Sequence, residues 1–392
     1  MYRVKTFNQI AAQGLARFPE GAFDVGPDTS EPHAILLRSH RLVGNDIGSD
    51  VRAVARAGVG YNNVPVDECT RQGVVVFNTP GANANSVKEL VLTALLLSSR
   101  DVLGGISFVG GLGNVHDEAE LHAQVETEKK RFKGHELKGR TLGIVGLGAV
   151  GSLVASAALD LGMNVLGYDP ALSVDAAWRL PSTVRRMEGT GPLFARSDYV
   201  TLHAPALPEN RGMIDAASLA GFRQGSVLLN FARQELVDEA AVAEALASGR
   251  LSSYFGDFPS VALRESPNVF ATPHLGASTA EAEENCAVMA VDQLRDFLLY
   301  GNIVNSVNFP QVSLDPAGGH RIGITNVNHP GMLGQLTAVL ADANINVIDM
   351  INKSQDEVAY NLIDLDTPPD AALISSLEGI EDVMNVRVFD PV

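Results

Sequence analysis

The 392-residue sequence predicts an α/β protein on largely parallel sheets, closed by a small C-terminal βαββαβ unit. Three observations predict it. Short runs of β-branched and apolar residues alternate with helical patterns through most of the chain, as parallel sheets require. A glycine fingerprint, GLGAVG at 146–151, directly follows one such run. Composition then shifts at FPQVSLDPAGG (309–319), and the strands beyond it come in a different order.

Taken along the chain, AILL (34–37) and VVVF (74–77) read as buried strands, the second followed by the turn-forming NTPGANAN. A helix is expected from Ser86, because SVKEL sets a capping serine three residues before Glu89. Residues 104–138, glycine-rich and then charged, read as a long connection. Further strands are expected at TLGIV (141–145), NVLGYD (164–169), YVTLHA (199–204), VLLNFA (227–232), YFGDF (254–258) and VFATP (269–273). Helical segments such as DEAAVAEALASG separate them. Beyond the proline- and glycine-marked linker come RIGITNVN, a helix with Leu333, Leu336 and Leu340 on one face, and INVIDMIN. VAYNLIDLD, a helix through Leu373 and Leu377, and VMNVRVF complete a ferredoxin-like order.

Composition narrows the function classes. Hydrophobic residues make up 46% and charged residues 19%, as in a soluble globular protein. The net charge of -17 argues against general nucleic-acid binding, so any anionic ligand must be held by a local cluster of arginine and lysine. The longest apolar stretch, LVLTALLLSS, is short of the roughly 20 residues that span a bilayer, and the start lacks a signal-peptide core. Cys69 and Cys286 stand apart with no zinc or CxxC spacing, which points to free thiols in a reducing cytoplasm and to no metal site.

In the fingerprint, Gly146 permits the tight turn, Gly148 admits a pyrophosphate close to the backbone, and Gly151 lets helix and strand approach. Amides at the helix start, from Ala149 and Val150 onward, offer free N–H groups to phosphates. Asp169 closes the next strand at the position where a carboxylate accepts from ribose hydroxyls and repels a 2′-phosphate. The expected cofactor is NAD.

A nicotinamide enzyme must also bind a small substrate and manage a proton. Arg233, in NFARQELVDE, stands at a strand's C-terminal end with a donor fork suited to a carboxylate. His274, in ATPHLGAST, follows another strand, and imidazole suits proton transfer near neutrality. Either residue alone would be as ordinary in a helix start or a surface turn.

The two segments together, with RAGVGYNNVPVDECTRQGVVVFNTPGANANSVKEL, resemble the D-isomer-specific 2-hydroxyacid dehydrogenases over nearly all of residues 30–310, and in particular their phosphoglycerate-oxidising branch. The C-terminal unit, with NVNHPGML, resembles an ACT regulatory domain. The resemblance implies a flavodoxin-like substrate domain (1–87 and 276–308), an inserted Rossmann NAD domain (88–275), a linker (309–319) and an ACT domain (320–392). It implies oxidation of D-3-phosphoglycerate by NAD at the entry to serine synthesis, with Arg233 holding the carboxylate and His274 taking the hydroxyl proton. Asp257 would contact the nicotinamide end of NAD. His203 and Pro205 would line the cofactor, with Phe231, Ala232 and Gly276 beside it. Arg38, Ser39, Arg56 and Asn83 would receive the phosphate. Asn326, Asn328 and Asn346 would bind an amino-acid effector such as serine, and a homodimer or homotetramer is expected.

One departure stands out. Where the family carries a glutamate that orients the histidine, this chain has Ala262, and the nearest downstream acid is Glu265. A dehydrogenase for an unphosphorylated acid, or a non-catalytic NAD sensor on the same scaffold, are the alternatives that this gap keeps open.

Overall fold

A computed structural model describes residues 1–315 and 317–389, with backbone only at Asp175. The chain divides into two compact units, residues 1–83 with 280–392, and residues 84–279.

The second unit is built on one seven-stranded sheet. Its strands are β6 (Thr141–Val145), β7 (Asn164–Tyr168), β8 (Arg185–Arg186), β9 (Tyr199–Leu202), β10 (Ser226–Asn230), β11 (Leu251–Gly256) and β12 (Val269–Ala271). They lie in the order β12-β11-β10-β9-β6-β7-β8, and every pairing is parallel. The chain leaves β6 toward β7 on one side and returns to β9 on the other, so β6 and β9 flank a topological switch point. Ligands of open parallel sheets bind outside the carboxyl ends of the strands at such a point. The strands are apolar on both faces because helices cover both, and β6, β9 and β10 are buried almost throughout.

The first unit begins with a five-stranded sheet: β1 (Tyr2–Thr6), β2 (Phe23–Gly26), β3 (Ala34–Leu37), β4 (Ala53–Arg56) and β5 (Val75–Phe77). Its order, β2-β1-β3-β4-β5, is again fully parallel. The Ala280–Tyr300 helix packs Ala287, Ala290, Val291, Leu294 and Phe297 into the same core as Val4, Leu36 and Ala55. The chain ends in an antiparallel sheet of β13 (His320–Val327), β14 (Val347–Gln355), β15 (Val358–Leu365) and β16 (Val383–Phe389), ordered β14-β15-β13-β16. The Met332–Asp342 and Ala371–Glu378 helices cover one face through Leu336, Leu340, Leu373 and Leu377. That is the βαββαβ order expected, although Leu333 is 38% exposed and does not belong to the buried stripe.

Three local expectations are corrected. The helix expected from Ser86 begins at Ala84, and Ser86 does not cap it: its hydroxyl donates to the Gly276 carbonyl at 2.8 Å. The stretch 104–138 contains two helices, Val102–Gly111 and Glu118–Glu128. Its four helical glycines disfavour a helix by propensity, but Asp101 caps the first turn by accepting from the Gly104 amide at 2.9 Å. Part of the stretch expected as a linker, residues 309–312, is packed into a core. Phe309 and Val312 are fully buried, and Ile303 and Val312 exchange backbone bonds. The reason is the apolar second face of the small sheet: Val358, Tyr360, Leu362 and Phe389 share one core with Phe77 and Phe297. Arg321 fastens the same junction, paired with Asp364 at 2.6 and 2.8 Å while donating to the Tyr300, Leu314 and Asp315 carbonyls. Both partners are almost wholly buried, and every guanidinium bond is to an oxygen that burial would otherwise leave bare.

Among the described residues no single helix is long and apolar enough to cross a membrane.

Candidate active site

Every site residue expected in residues 84–279 falls at the carboxyl end of a strand of the seven-stranded sheet. The glycine loop joins β6 to the Ala149–Asp160 helix. Gly146 adopts φ +90, and a Cβ there would lie 2.6 Å from the His203 carbonyl oxygen. A Cβ on Gly151 would lie 2.0 Å from the Gly146 oxygen. Gly148 differs: a Cβ would meet nothing within 4 Å, so open space faces the loop. Gly148 also N-caps the helix without any side-chain acceptor, which leaves the first-turn amides of Ala149, Val150 and Gly151 for an external anion. Asp169 follows β7 and is oriented by the Leu147 amide at 2.8 Å and the Ala171 amide at 2.9 Å. A carboxylate has about four acceptor positions, so capacity remains for ribose hydroxyls. The residues present fit a dinucleotide.

Beyond β9 stands His203, its Nε2 3.0 Å from the Thr201 hydroxyl. Burial pushes its imidazole down to about 4, so the ring is neutral across the physiological range. Pro205 lies two residues further on. Beyond β10 come buried Phe231, then Ala232 and Arg233. The turn that presents Arg233 is tied by Asn230, whose fully buried amide donates to the Arg233 carbonyl at 2.8 Å and accepts from the Ala232 amide at 3.2 Å. The half-buried guanidinium donates to the Ala232 carbonyl at 2.7 Å, a single bond that leaves most of its five donors for a ligand.

His274 stands beyond β12 in a left-handed conformation, φ +57. For a residue with a side chain this costs about 1–3 kcal/mol, and it persists only where the surroundings impose it. The imposing group is Asp257, beyond β11 and 1% exposed. Its carboxylate accepts from the Thr272 hydroxyl at 2.6 Å, the Leu275 amide at 2.6 Å and the Gly276 amide at 2.7 Å. Those three donors bracket His274 on both sides. The Asp257 carbonyl also accepts the His274 amide at 3.1 Å, and Ser86 anchors the Gly276 carbonyl from the Ala84–Ser99 helix. A Cβ at Gly276 would lie 3.0 Å from the Asp257 carboxylate, so glycine lets the loop close this tightly. The exposed imidazole meets the Phe258 ring edge-on at 5.0 Å between centroids. Asp257, the residue expected at the nicotinamide end of a cofactor, turns its carboxylate into its own loop, where it braces the backbone on both sides of His274.

In the first unit, Arg38 and Ser39 follow β3 and Arg56 ends β4, next to the β1–β3 switch point of that sheet. Arg56 Nε donates to the Arg38 carbonyl at 3.0 Å, which draws the two arginines together. The Arg38 guanidinium pairs with Glu283 at 2.7 Å, both about 40% exposed. Asn8 holds the loop by accepting from the Ser39 and His40 amides. Asn83 lies immediately before the Ala84–Ser99 helix.

A family model described as the NAD-binding domain of D-isomer-specific 2-hydroxyacid dehydrogenases matches residues 109–276. A D-3-phosphoglycerate dehydrogenase of Haemophilus influenzae is 33% identical over 84% of this chain and 79% of that protein. The Escherichia coli K12 D-3-phosphoglycerate dehydrogenase is 30% identical over 98% of this chain and 95% of that protein. The chain belongs to the D-isomer-specific 2-hydroxyacid dehydrogenases. Its fold is also that of an NAD-bound 3-phosphoglycerate dehydrogenase of Entamoeba histolytica, with a TM-score of 0.60, 24% identity, and coverage of 78% of this chain and 98% of that one.

As a dehydrogenase of this family it binds NAD in its second unit. Its departure at Ala262 is real in three dimensions. Ala262 is exposed, and Glu265, 82% exposed, pairs with Arg264 at 3.5 Å. Among the described residues the His274 ring has no carboxylate or other hydrogen-bond partner. The effector expectation also changes. Asn326 is 1% exposed and sits in an amide ladder, accepting from Asn361, which accepts from Asn352. Its own amide donates to the Val327 carbonyl at 2.7 Å, so Asn326 is a sheet-internal residue. Asn328 and Asn346 are exposed, the former donating to the Asp356 carbonyl. Reading the sequence missed Asn230, Ser86, Thr272 and Glu283. Only Asn230, a polar residue ending an apolar run, carried a local signal.

Proposed function

We propose that this dehydrogenase oxidises D-3-phosphoglycerate to 3-phosphohydroxypyruvate with NAD, the first step of serine synthesis. When bound, the nicotinamide supplies the hydride acceptor. Arg233 holds the substrate carboxylate through two parallel donors and draws electron density from the carbon being oxidised. His274 Nε2 or Nδ1 takes the hydroxyl proton as the hydride departs and returns it in the reverse direction. Asp257 keeps the imidazole in place without touching substrate. Arg38 and Arg56 take the phosphate, whose two charges favour paired guanidinium groups. The observation that carries this reading is the strained His274 at the carboxyl end of the sheet that also holds the glycine loop, fixed there by a buried carboxylate.

The names of the relatives support the phosphorylated substrate, and the Arg38–Arg56 pair agrees with it. A homo-oligomer is part of the proposal: the Val102–Gly111 helix buries no residue and leaves Val102, Leu103, Ile106 and Val109 41–66% exposed. Two buried free cysteines agree with a cytoplasmic setting. We assign no effector to the C-terminal unit beyond an amino acid such as serine near Asn328 and Asn346.

The test is NADH formation at alkaline pH with D-3-phosphoglycerate, D-glycerate and D-lactate in parallel. The expected result is a preference for the phosphorylated acid by at least an order of magnitude in kcat/KM. A preference for D-glycerate or D-lactate removes the phosphate assignment, and turnover of none of them removes the enzyme reading.

A further inference from the structure

The chain has one tryptophan, Trp178, and it is 83% exposed. It stands on the short Val174–Arg179 helix that follows β7, one turn beyond Val174, itself 73% exposed. Single exposed apolar side chains are ordinary on protein surfaces. This pair also borders a pocket, one of about 660 Å³ that takes in Asp169 and Leu147, the residue between the first two glycines of the fingerprint. The volume lies within the span of about 300–1,000 Å³ usual for small-molecule sites.

The pocket combines the Asp169 carboxylate with apolar side chains, and Ser173, Ser182 and Arg186 also line it. Asp169 is pinned by the Leu147 and Ala171 amides, and its carboxylate keeps acceptor positions for a ribose. Its apolar lining includes Leu172, Leu180 and Val184, half-buried against the core of the sheet. A group that joins a ribose to a flat aromatic ring suits this lining, and NAD carries one: its adenosine half. We propose that Trp178 is a binding residue for the adenine base, closing over the ring by stacking its indole on one face. Stacking explains why a six-residue helix leaves its largest side chain in water: the indole's partner is the cofactor. The inference rests on NAD binding in this unit and does not depend on which hydroxy acid is oxidised.

Because Trp178 is the sole tryptophan, its fluorescence reports this contact alone, without catalysis. The wild-type protein is titrated with NAD, ADP-ribose, AMP and nicotinamide mononucleotide, and affinities are measured in parallel by calorimetry on wild type, Trp178→Ala and Trp178→Phe. Quenching by the three adenine ligands, none by nicotinamide mononucleotide, supports the proposal. So does a roughly ten-fold or larger rise in the ADP-ribose Kd for Trp178→Ala, the size that base–aromatic stacking gives, with most affinity kept in Trp178→Phe. An exposed side chain can be removed without loss of fold, which an unchanged Tm checks. NAD binding with unchanged fluorescence, and equal affinity in Trp178→Ala, overturns the role of Trp178 and leaves the cofactor assignment standing. Failure of wild type to bind either NAD or ADP-ribose overturns both.

Discussion

The glycine loop and the histidine loop lie at carboxyl ends of the same sheet, yet they are built in opposite ways. The glycine loop carries its own instructions. Gly146 takes φ +90, Gly151 allows a backbone approach that no side chain permits, and Gly148 leaves space for the ligand, each at its place in one six-residue segment. The histidine loop is held from outside. Its strain at His274 is imposed by Asp257, 17 residues upstream, and by Ser86, 188 residues upstream. A binding loop that must present backbone amides can be specified by which residues lack a Cβ. A loop that must present one side chain in a disfavoured conformation needs polar partners delivered by neighbouring strands and helices.

This contrast can be broken or sharpened by substitution. The largest expected effect is at His274: His274→Ala should lower kcat by about 10²–10⁴-fold, the range for losing a general acid–base group. Its NAD affinity, measured by NADH fluorescence or calorimetry, should stay unchanged, since nothing in the glycine loop depends on the imidazole. Loss of NAD affinity in that variant would mean that the two loops are not separable.

Next come the glycines, which should fail in two distinct modes. Gly148→Val fills the open space before the helix amides and should weaken NAD by an order of magnitude or more, with Tm little changed. Gly151→Ala drives a Cβ into the Gly146 carbonyl and should instead lower stability by about 1–3 kcal/mol, read from urea unfolding. Similar Tm losses in both variants would contradict the assignment of Gly148 to ligand access.

The smallest effect is expected in the first unit, where Glu283 competes with an incoming anion for Arg38. A half-exposed ion pair of this kind is worth about 0.2–1 kcal/mol, so Glu283→Gln should lower KM for D-3-phosphoglycerate by up to about five-fold. KM for an unphosphorylated acid should not move. A raised KM would show that Glu283 positions Arg38 for the substrate.

How much of this was legible beforehand follows the same division. The glycine loop, Asp169, and the strand ends bearing Arg233 and His274 could be read because periodicity and residue type are local. The strands expected between residues 34 and 273 are all present, while β1, β2, β4 and β8 stand where none is expected. β4 is only four residues, AVAR, with no apolar–polar alternation to mark it, and β2 is a half-exposed edge. Ser86 has the spacing to Glu89 that a helix cap needs, but the tertiary bond to Gly276 claims its hydroxyl. The position of Asn326 near a strand end suggests a ligand site, whereas Asn361 and Asn352, distant in sequence, draw it into the sheet. Residues 309–319 looked like a linker by composition. Whether proline and glycine mark a flexible joint or a packed turn depends on what Phe309 and Val312 meet, and that lies on β15 and β16.

The central claim is that the buried carboxylate of Asp257 holds His274 in its working position, while among the described residues the imidazole has no carboxylate of its own. Asp257→Asn keeps the shape but replaces one acceptor oxygen with a donor facing backbone N–H groups. Steady-state turnover and NAD affinity of this variant, measured well below its Tm, separate the two loops directly. A fall in kcat of about 10²-fold, the scale of a misplaced catalytic group, with NAD affinity intact is the predicted result. Unchanged turnover would show that the histidine keeps its place without the aspartate, and the account of this site would be wrong.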